Sequence, residues 1–569
     1  MDIARGCSGQ AWRLALERRL EVLIPGTSKI KKRPSAGSMP PAPSHISRVN
    51  GESHVHKIAS MAGLVFIGLT APATGVTAQA TIPPGERCTA LAQRAFEGAA
   101  VESADFTPGG VDLNQQGVKS RNGVCRVRAR LNPVPGSVIR MEIWLPADWN
   151  GKILGVGGSG FNGSLAYAKG ALPVPARDGY AALVTDAGHD FNMMAPWALG
   201  QPEKIIDFGH RANHLGIVAA KALAASYYGT PAKRAYFHGC SNGGRDALML
   251  AQRYPEDYDA IIAGAPAYNW TATFAMYLHY QQVSRVTPDA ATIVPKLGLV
   301  HDAAINRCDA ADGIKDGLIG NPATCRFDPR VLACKAVDGP NCLTRPEVAA
   351  VSSIYRGMRL RNGEVIMPGL PPGSEKDWAG WFAAANSMPP SAAADYYRNM
   401  VYGDPKWDAA RFLLERDYRE ATRRVGPILN ATNPDLRPFF ARGGRLLMYH
   451  GWNDAALSAN NTIAYFRAMR RTSGKTAADR TRLFMVPGMG HCSGGDGPDT
   501  FDALGAIDRW TERGTAPEQL VVAKYENSQA VAWGKQMTPI ATRNICAWPK
   551  SPYYKGSGPS TDASSFLCR

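Results

Sequence analysis

The stretch that most constrains this chain is Arg234-Ala-Tyr-Phe-His-Gly239-Cys240-Ser241-Asn242-Gly243-Gly244. It is an apolar run of strand length that ends on a tight turn and opens a helical pattern over about 243–254. A sharp strand-to-helix turn exposes a serine hydroxyl, and glycines two residues before and after it let the backbones pack without clashes. The helix that starts behind Ser241 points unpaired N–H groups toward the space beside that hydroxyl. The N–H of Asn242 is therefore a candidate oxyanion donor.

The surrounding sequence has the same strand–helix rhythm. Val138-Ile-Arg-Met-Glu-Ile-Trp-Leu, Lys152-Ile-Leu-Gly-Val and Tyr180-Ala-Ala-Leu-Val-Thr read as strands, residues 210–228 have helical periodicity, and Ala260-Ile-Ile-Ala-Gly is a further strand. Alternation of this kind predicts a mostly parallel sheet covered on both faces. The rhythm stops over 269–440, which is rich in Pro, Gly, Asp and aromatic residues. It resumes at Arg445-Leu-Leu-Met-Tyr-His-Gly and Arg482-Leu-Phe-Met-Val-Pro-Gly. At 569 residues the chain is too long for one compact core. The expected architecture is an α/β fold of the α/β-hydrolase type, with a catalytic domain of residues 81–268 and 441–569 and a large inserted lid domain at 269–440.

In that fold the acid and then the histidine follow the serine in sequence, each just after a late strand. Tyr449-His-Gly-Trp-Asn-Asp454 and Pro487-Gly-Met-Gly-His491-Cys492 fit these two places. His491 would take the Ser241 proton and return it to a leaving alcohol, while Asp454 orients the imidazole and balances its charge. The rival histidines, His450 and His189, read as satisfied turn residues. Asn453 is a poor substitute for Asp454, because a neutral amide cannot stabilise an imidazolium. A second oxyanion donor is expected from the glycine-rich turn Gly155-Val-Gly157-Gly158-Ser-Gly160, with Gly157 as the best single choice.

A third motif lies in the inserted segment. Cys308-Asp309-Ala-Ala-Asp312-Gly-Ile-Lys-Asp316-Gly-Leu-Ile places three carboxylates within eight residues. Oxygen ligands of this kind suit a hard cation such as Ca²⁺, although the spacing is not that of an EF-hand. No organic cofactor is implied.

The N-terminus and the cysteines bear on compartment. Residues 1–60, rich in Pro, Ser and basic residues, read as a disordered leader or a misassigned start. Residues 61–80 combine a short apolar run with an Ala78-Gln79-Ala80 end, the pattern of a signal peptide cleaved after Ala80. That run is too short to span a bilayer, and no later segment is long enough. Of the eleven cysteines, ten follow this point, none in paired CxxC spacing for zinc. An even set after an export signal implies disulfides and a periplasmic or extracellular destination. The formal charge of +16 falls to +10 over 61–569, with no basic block and no nucleic-acid-binding motif. Nucleic-acid partners are thus not expected, and the oligomeric state is left open.

Cys240-Ser241 and His491-Cys492, with Asp454 between them, resemble the signature of the tannase and feruloyl esterase family. Gly157-Gly-Ser-Gly, His450-Gly-Trp-Asn-Asp and Tyr554-Lys-Gly-Ser-Gly extend the resemblance from Cys88 to the C-terminus. It implies a Cys240–Cys492 disulfide that ties the nucleophile and base loops together. It also implies the pairs Cys88–Cys125, Cys308–Cys325, Cys334–Cys342 and Cys546–Cys568, leaving Cys7 outside. It further implies a structural Ca²⁺ held by Asp309, Asp312 and Asp316 with the main-chain carbonyls of Ile314 and Leu318.

The expected activity is hydrolysis of carboxylic esters of aromatic (phenolic) acids, such as feruloyl or galloyl esters, through an acyl-enzyme. The substrate would be a small aromatic ester, free or attached to plant polymers, clamped by lid aromatics among Trp378, Trp381, Phe382, Tyr396, Tyr397, Tyr402 and Trp407. Most of these seven are expected to be lid core rather than contacts. The family also includes mono(2-hydroxyethyl) terephthalate hydrolases, but their aromatic residue three positions after the catalytic Asp is Leu457 here. Terephthalate monoester or acetyl ester hydrolysis is therefore the alternative, and a non-catalytic calcium-dependent binding protein a more distant one.

Overall fold

Strands that are apolar on both faces belong in the middle of a covered sheet, and the strands flanking Ser241 are of that kind. The computed structural model describes residues 82–569 apart from 191–193, 288–290 and 336. The leader, the export segment 61–80 and Cys7 lie outside the described residues. Nine strands form one sheet: β1 (Ala100–Thr107), β2 (Val124–Leu131), β3 (Ile139–Pro146), β4 (Lys152–Val156), β5 (Ala181–Thr185), β6 (Arg234–Cys240), β7 (Ala260–Gly264), β8 (Arg445–Gly451) and β9 (Thr481–Val486). Their order is β1-β2-β3-β5-β4-β6-β7-β8-β9. The pairs from β1 to β5 are antiparallel, and the remaining pairs, from β5 through β9, are parallel.

The helices that frame the site are α1 (Ala212–Tyr228), α2 (Asn242–Arg253), α3 (Trp270–Val283), α4 (Leu297–Cys308), α5 (Ala459–Arg480, broken at Gly474) and α6 (Ala503–Arg513). Neighbouring residues of each central strand enter opposite cores, because side chains alternate across a sheet. Phe237, Ile261, Met448 and Leu483 pack with Ile217 and Leu223 of α1, Leu248 of α2, and Phe466 and Met469 of α5. Tyr236, Ile262, Leu447 and Phe484 pack with Ile507 and Trp510 of α6. Burial of each such side chain contributes roughly 1.5–3 kcal/mol before chain entropy is counted.

The described residues of 269–440 add no strand to this sheet. They carry α3, α4, helices Arg345–Arg356 and Leu414–Arg424, and a short hairpin of Met358–Arg359 with Val365–Met367. A third core lies here, built on Trp270, Phe274, Tyr280, Trp378, Phe382, Tyr396 and Tyr397. After the sheet, β10 (Gln519–Lys524) and β11 (Ala541–Cys546) pair antiparallel. Among the described residues no helix is long and apolar enough to cross a membrane.

β1, β2 and the β10–β11 pair are not among the strands expected from sequence. β1 has no fully buried position, and its Ala-Val-Glu-Ser-Ala-Asp-Phe-Thr lacks an apolar stripe. Edge strands of this composition are held by pairing with a neighbour more than by their own pattern.

Candidate active site

The elbow at the end of β6 is a strained turn held by its surroundings. Ser241 has φ 63° and ψ −120°, a conformation disfavoured for a residue with a side chain. Two backbone bonds fix it: Ser241 N–H donates to the Gly264 carbonyl at 3.0 Å, and Ala267 N–H donates to the Ser241 carbonyl at 3.0 Å. Gly239 is required by close approach, since a Cβ there would stand 2.4 Å from Gly243 carbonyl carbon. Beneath the turn, fully buried Arg245 donates to Asn242 Oδ1 at 2.7 Å and to the carbonyls of Gly209 and Phe208, and it pairs with Asp246. Arg245 was not singled out in the sequence, because one arginine in a helix carries no spacing signal.

Asp454 and His491 come to the same place from the loops after β8 and β9. His491 Nε2 stands 2.8 Å from Ser241 Oγ, and His491 Nδ1 stands 2.7 Å from Asp454 Oδ2. The other oxygen, Asp454 Oδ1, accepts from the N–H groups of Ala456 at 2.8 Å and Leu457 at 2.9 Å. Burial alone would raise the Asp454 carboxyl, but the neighbouring His491 and His450 outweigh it and hold the group below the usual carboxylate range. An ionised carboxylate only accepts, so His491 carries its proton on Nδ1 and presents a lone pair to the serine. The Cys240–Cys492 disulfide joins the residues directly beside Ser241 and His491 across 252 positions of sequence. The other four bridges are Cys88–Cys125, Cys308–Cys325, Cys334–Cys342 and Cys546–Cys568, the pairs that the resemblance implied.

Two sequence readings change at this site. Gly157 N–H donates to the His238 carbonyl at 2.9 Å as part of the β4–β6 ladder, so it is spent and is not a free oxyanion donor. Gly157 is glycine for another reason, since a Cβ there would lie 2.7 Å from Gly243 Cα. His450 is not a simple turn residue. It is fully buried, with Nε2 3.0 Å from Asp454 Oδ2 and Nδ1 2.7 Å from Thr462 Oγ1. As expected for most of the seven aromatic residues in the inserted segment, Trp378, Phe382, Tyr396 and Tyr397 are core. Trp381 instead sets its ring edge-on to His491, with centroids 5.0 Å apart. The other rival, His189, stacks on Trp197.

The acidic loop after α4 is ordered by its own backbone. Asp309 accepts from the N–H groups of Asp316 at 3.2 Å and Gly317 at 3.0 Å, and Asp316 pairs with Arg543. Asp312 Oδ2 is buried without a hydrogen-bond partner, and burial together with Asp316 raises the Asp312 carboxyl to about 6. Among the described residues, the one set of three ligand-type side chains within 4.8 Å of one another is Cys334, Asp338 and Cys342. Its cysteines are consumed in a disulfide. The three aspartates thus do not close to that spacing by themselves. Their donor chemistry, an orphaned buried oxygen among like charges, fits a hard cation.

The sheet order, the elbow at its carboxyl edge and the inserted segment define an α/β hydrolase. A family profile described as tannase and feruloyl esterase matches residues 125–569. The chain belongs to the tannase and feruloyl esterase family, and it is a carboxylic ester hydrolase of that type. An uncharacterised esterase of Xanthomonas campestris pv. campestris is 33% identical over 84% of this chain and 91% of that protein. A probable feruloyl esterase B-2 of Aspergillus oryzae is 30% identical over 85% of this chain and 95% of its own length. The crystal structure of feruloyl esterase B from Aspergillus oryzae superposes with a TM-score of 0.76 at 29% identity, over 85% of this chain and all of that one.

Proposed function

We propose that this esterase cleaves esters of aromatic acids through an acyl-enzyme on Ser241. The observation that carries the reading is the continuous relay from Ser241 Oγ to His491 to Asp454, with separations of 2.8 and 2.7 Å. Ser241 Oγ attacks the ester carbonyl carbon while His491 Nε2 takes the hydroxyl proton. The tetrahedral oxyanion is held by the N–H of Asn242 at the start of α2, joined by that of Gly158, the next N–H after the one spent in the ladder. His491 then gives its proton to the leaving alcohol, and a water repeats the sequence to release the acid. Trp381 beside His491 supplies an aromatic wall at the reacting carbonyl, in keeping with the feruloyl esterase names of the relatives.

Residues 269–440 act as a lid over this site in the same reading. Asp309, Asp312 and Asp316, with the carbonyls of Ile314 and Leu318, would hold a structural Ca²⁺ that neutralises the crowded loop. Five disulfides fit an exported protein.

The test is steady-state hydrolysis of methyl ferulate, methyl gallate, mono(2-hydroxyethyl) terephthalate and p-nitrophenyl acetate, with Ser241→Ala as control. High kcat/KM on methyl ferulate or methyl gallate, lost in the variant, is the expected result. Turnover of p-nitrophenyl acetate alone would overturn the aromatic-acid reading. Preference for the terephthalate ester would move the substrate away from phenolic acids.

A further inference from the structure

Asp454 Oδ2 faces two imidazoles, and only one of them reaches the serine. His491 Nδ1 lies 2.7 Å away and His450 Nε2 3.0 Å away. Because the carboxylate accepts only, the His450 nitrogen that faces it must carry a proton. That N–H also lies 3.2 Å from the Leu457 carbonyl, so His450 bridges Asp454 to the loop that follows it. On the other side of the ring, Nδ1 meets Thr462 Oγ1 at 2.7 Å, in the first turn of α5. Thr462 is itself buried.

We propose that His450 is a positioning residue: it stays neutral, with its tautomer set by the Thr462 hydroxyl, and it donates Nε2–H to Asp454 so that this carboxylate is aimed at His491. The proposal rests on the reading of Ser241, His491 and Asp454 given above. Charge balance favours the neutral form. When His491 becomes an imidazolium, Asp454 is the anion that balances it. A cationic His450 would already have consumed that charge and left two buried cations against one anion, which is costly away from water. The other titratable groups near Asp454 are Tyr277 and Asp377. Tyr277 of α3 is pushed upward by burial and by Asp454, and so stays neutral. Asp377 of the lid is pushed upward by burial, Asp496 and Asp454.

The arrangement also has a sign. A neutral N–H donor on Oδ2 spreads the carboxylate's negative charge, so less of it is concentrated on His491. Without that donor, His491 holds its proton more tightly, and the free base is reached at higher pH.

The experiment compares His450→Phe, which removes the donor, with His450→Gln, whose amide N–H can occupy the Nε2 position. Kinetics on the best ester of the panel are measured from pH 5 to 9, alongside ¹⁵N imidazole NMR of the wild type. His450→Phe should lower kcat by about 100-fold with KM within about twofold, and displace the acid limb of kcat/KM to higher pH. His450→Gln should keep kcat within about tenfold of wild type and leave the limb in place. If His450→Phe fails to fold, Thr462→Val, which removes only the hydroxyl, should lower kcat by about fivefold at unchanged KM. NMR should find His450 as the neutral Nε2–H tautomer at pH 7.

A folded His450→Phe, or Thr462→Val in its place, with kcat and acid limb unchanged would overturn the proposal. So would equal losses in the Phe and Gln variants with no movement of the limb, which is the behaviour of a core-packing residue. A doubly protonated His450 at pH 7 would overturn it as well. Retained turnover in Ser241→Ala would instead remove the underlying reading, while the His450 tautomer, read without substrate, would still decide this one.

Discussion

Asp454 and Asp312 are both buried aspartates on loops, and their chemistry runs in opposite directions. Asp454 receives four donors, two from backbone N–H groups and two from imidazoles, and is held below the carboxylate range. Asp312 has one oxygen with no partner, lies among Asp309 and Asp316, and is raised to about 6. Burial opposes the charge in both cases, so the difference lies in what the fold places around each group. The end of the sheet is electrostatically complete within the protein, whereas the acidic loop leaves one buried Asp312 oxygen without a partner and only Arg543 beside its carboxylates.

The largest effect that sharpens this comparison is at the complete site. Ser241→Ala should lower kcat by about 10⁵-fold or more, since members of such a relay act as a unit. Asp454→Asn should cost about 10³–10⁴-fold, through loss of the imidazolium's counter-charge and a wrong His491 tautomer. Steady-state kinetics on one aromatic ester measures both, and a loss under tenfold for either would break the account of the relay.

Asp454 also carries a pH signature. Its folded-state value is depressed, so its contribution to stability is fully present above the unfolded carboxylate value and is lost as pH falls below it. The melting-temperature gap between wild type and Asp454→Asn should therefore be widest at pH 7 and begin to narrow as the pH falls below about 4. A gap that widens on acidification would contradict the depressed value.

The Cys240–Cys492 bridge is the next smaller lever. Paired Cys240→Ala and Cys492→Ala should cost about 2–4 kcal/mol of stability. kcat should fall more than KM changes, because the serine and histidine loops lose their tie. Unchanged kcat in a folded double variant would leave the bridge without a role in aligning the relay.

At the acidic loop the comparison predicts a crossing. With Ca²⁺ present, Asp312→Asn should melt a few degrees below wild type, because a ligand charge is lost. In a chelator, wild type should fall below Asp312→Asn, because the buried Asp312 carboxylate is left beside Asp309 and Asp316 with only Arg543 to offset the three. Melting curves with no response to chelator would leave the loop without its cation.

How much of this was legible in the sequence follows from the range of the interactions. Ser241, Asp454 and His491 each sit in a short motif at a strand end, so local pattern and chain order suffice to find them. The contacts of His450 with Asp454 and Leu457 depend on how the loop after β8 folds back on its own strand, which no spacing rule records. That the Gly157 N–H is already spent is a one-residue matter of the β4–β6 register, and periodicity does not fix register. The aromatic residues of the inserted segment look alike in sequence, and packing alone separates core Trp378 from Trp381 beside His491. β1 and β10–β11 were missed because half-exposed strands carry mixed polar patterns.

The central claim, that Ser241 is the residue acylated during turnover, is tested most directly by peptide mass mapping after reaction with a fluorophosphonate, with ester hydrolysis followed in the same samples. The account predicts one adduct per chain, on the peptide containing Ser241, appearing in step with loss of activity and absent from Ser241→Ala. Complete inactivation with the adduct on another residue, or an unlabelled Ser241 in an inactivated enzyme, would contradict it.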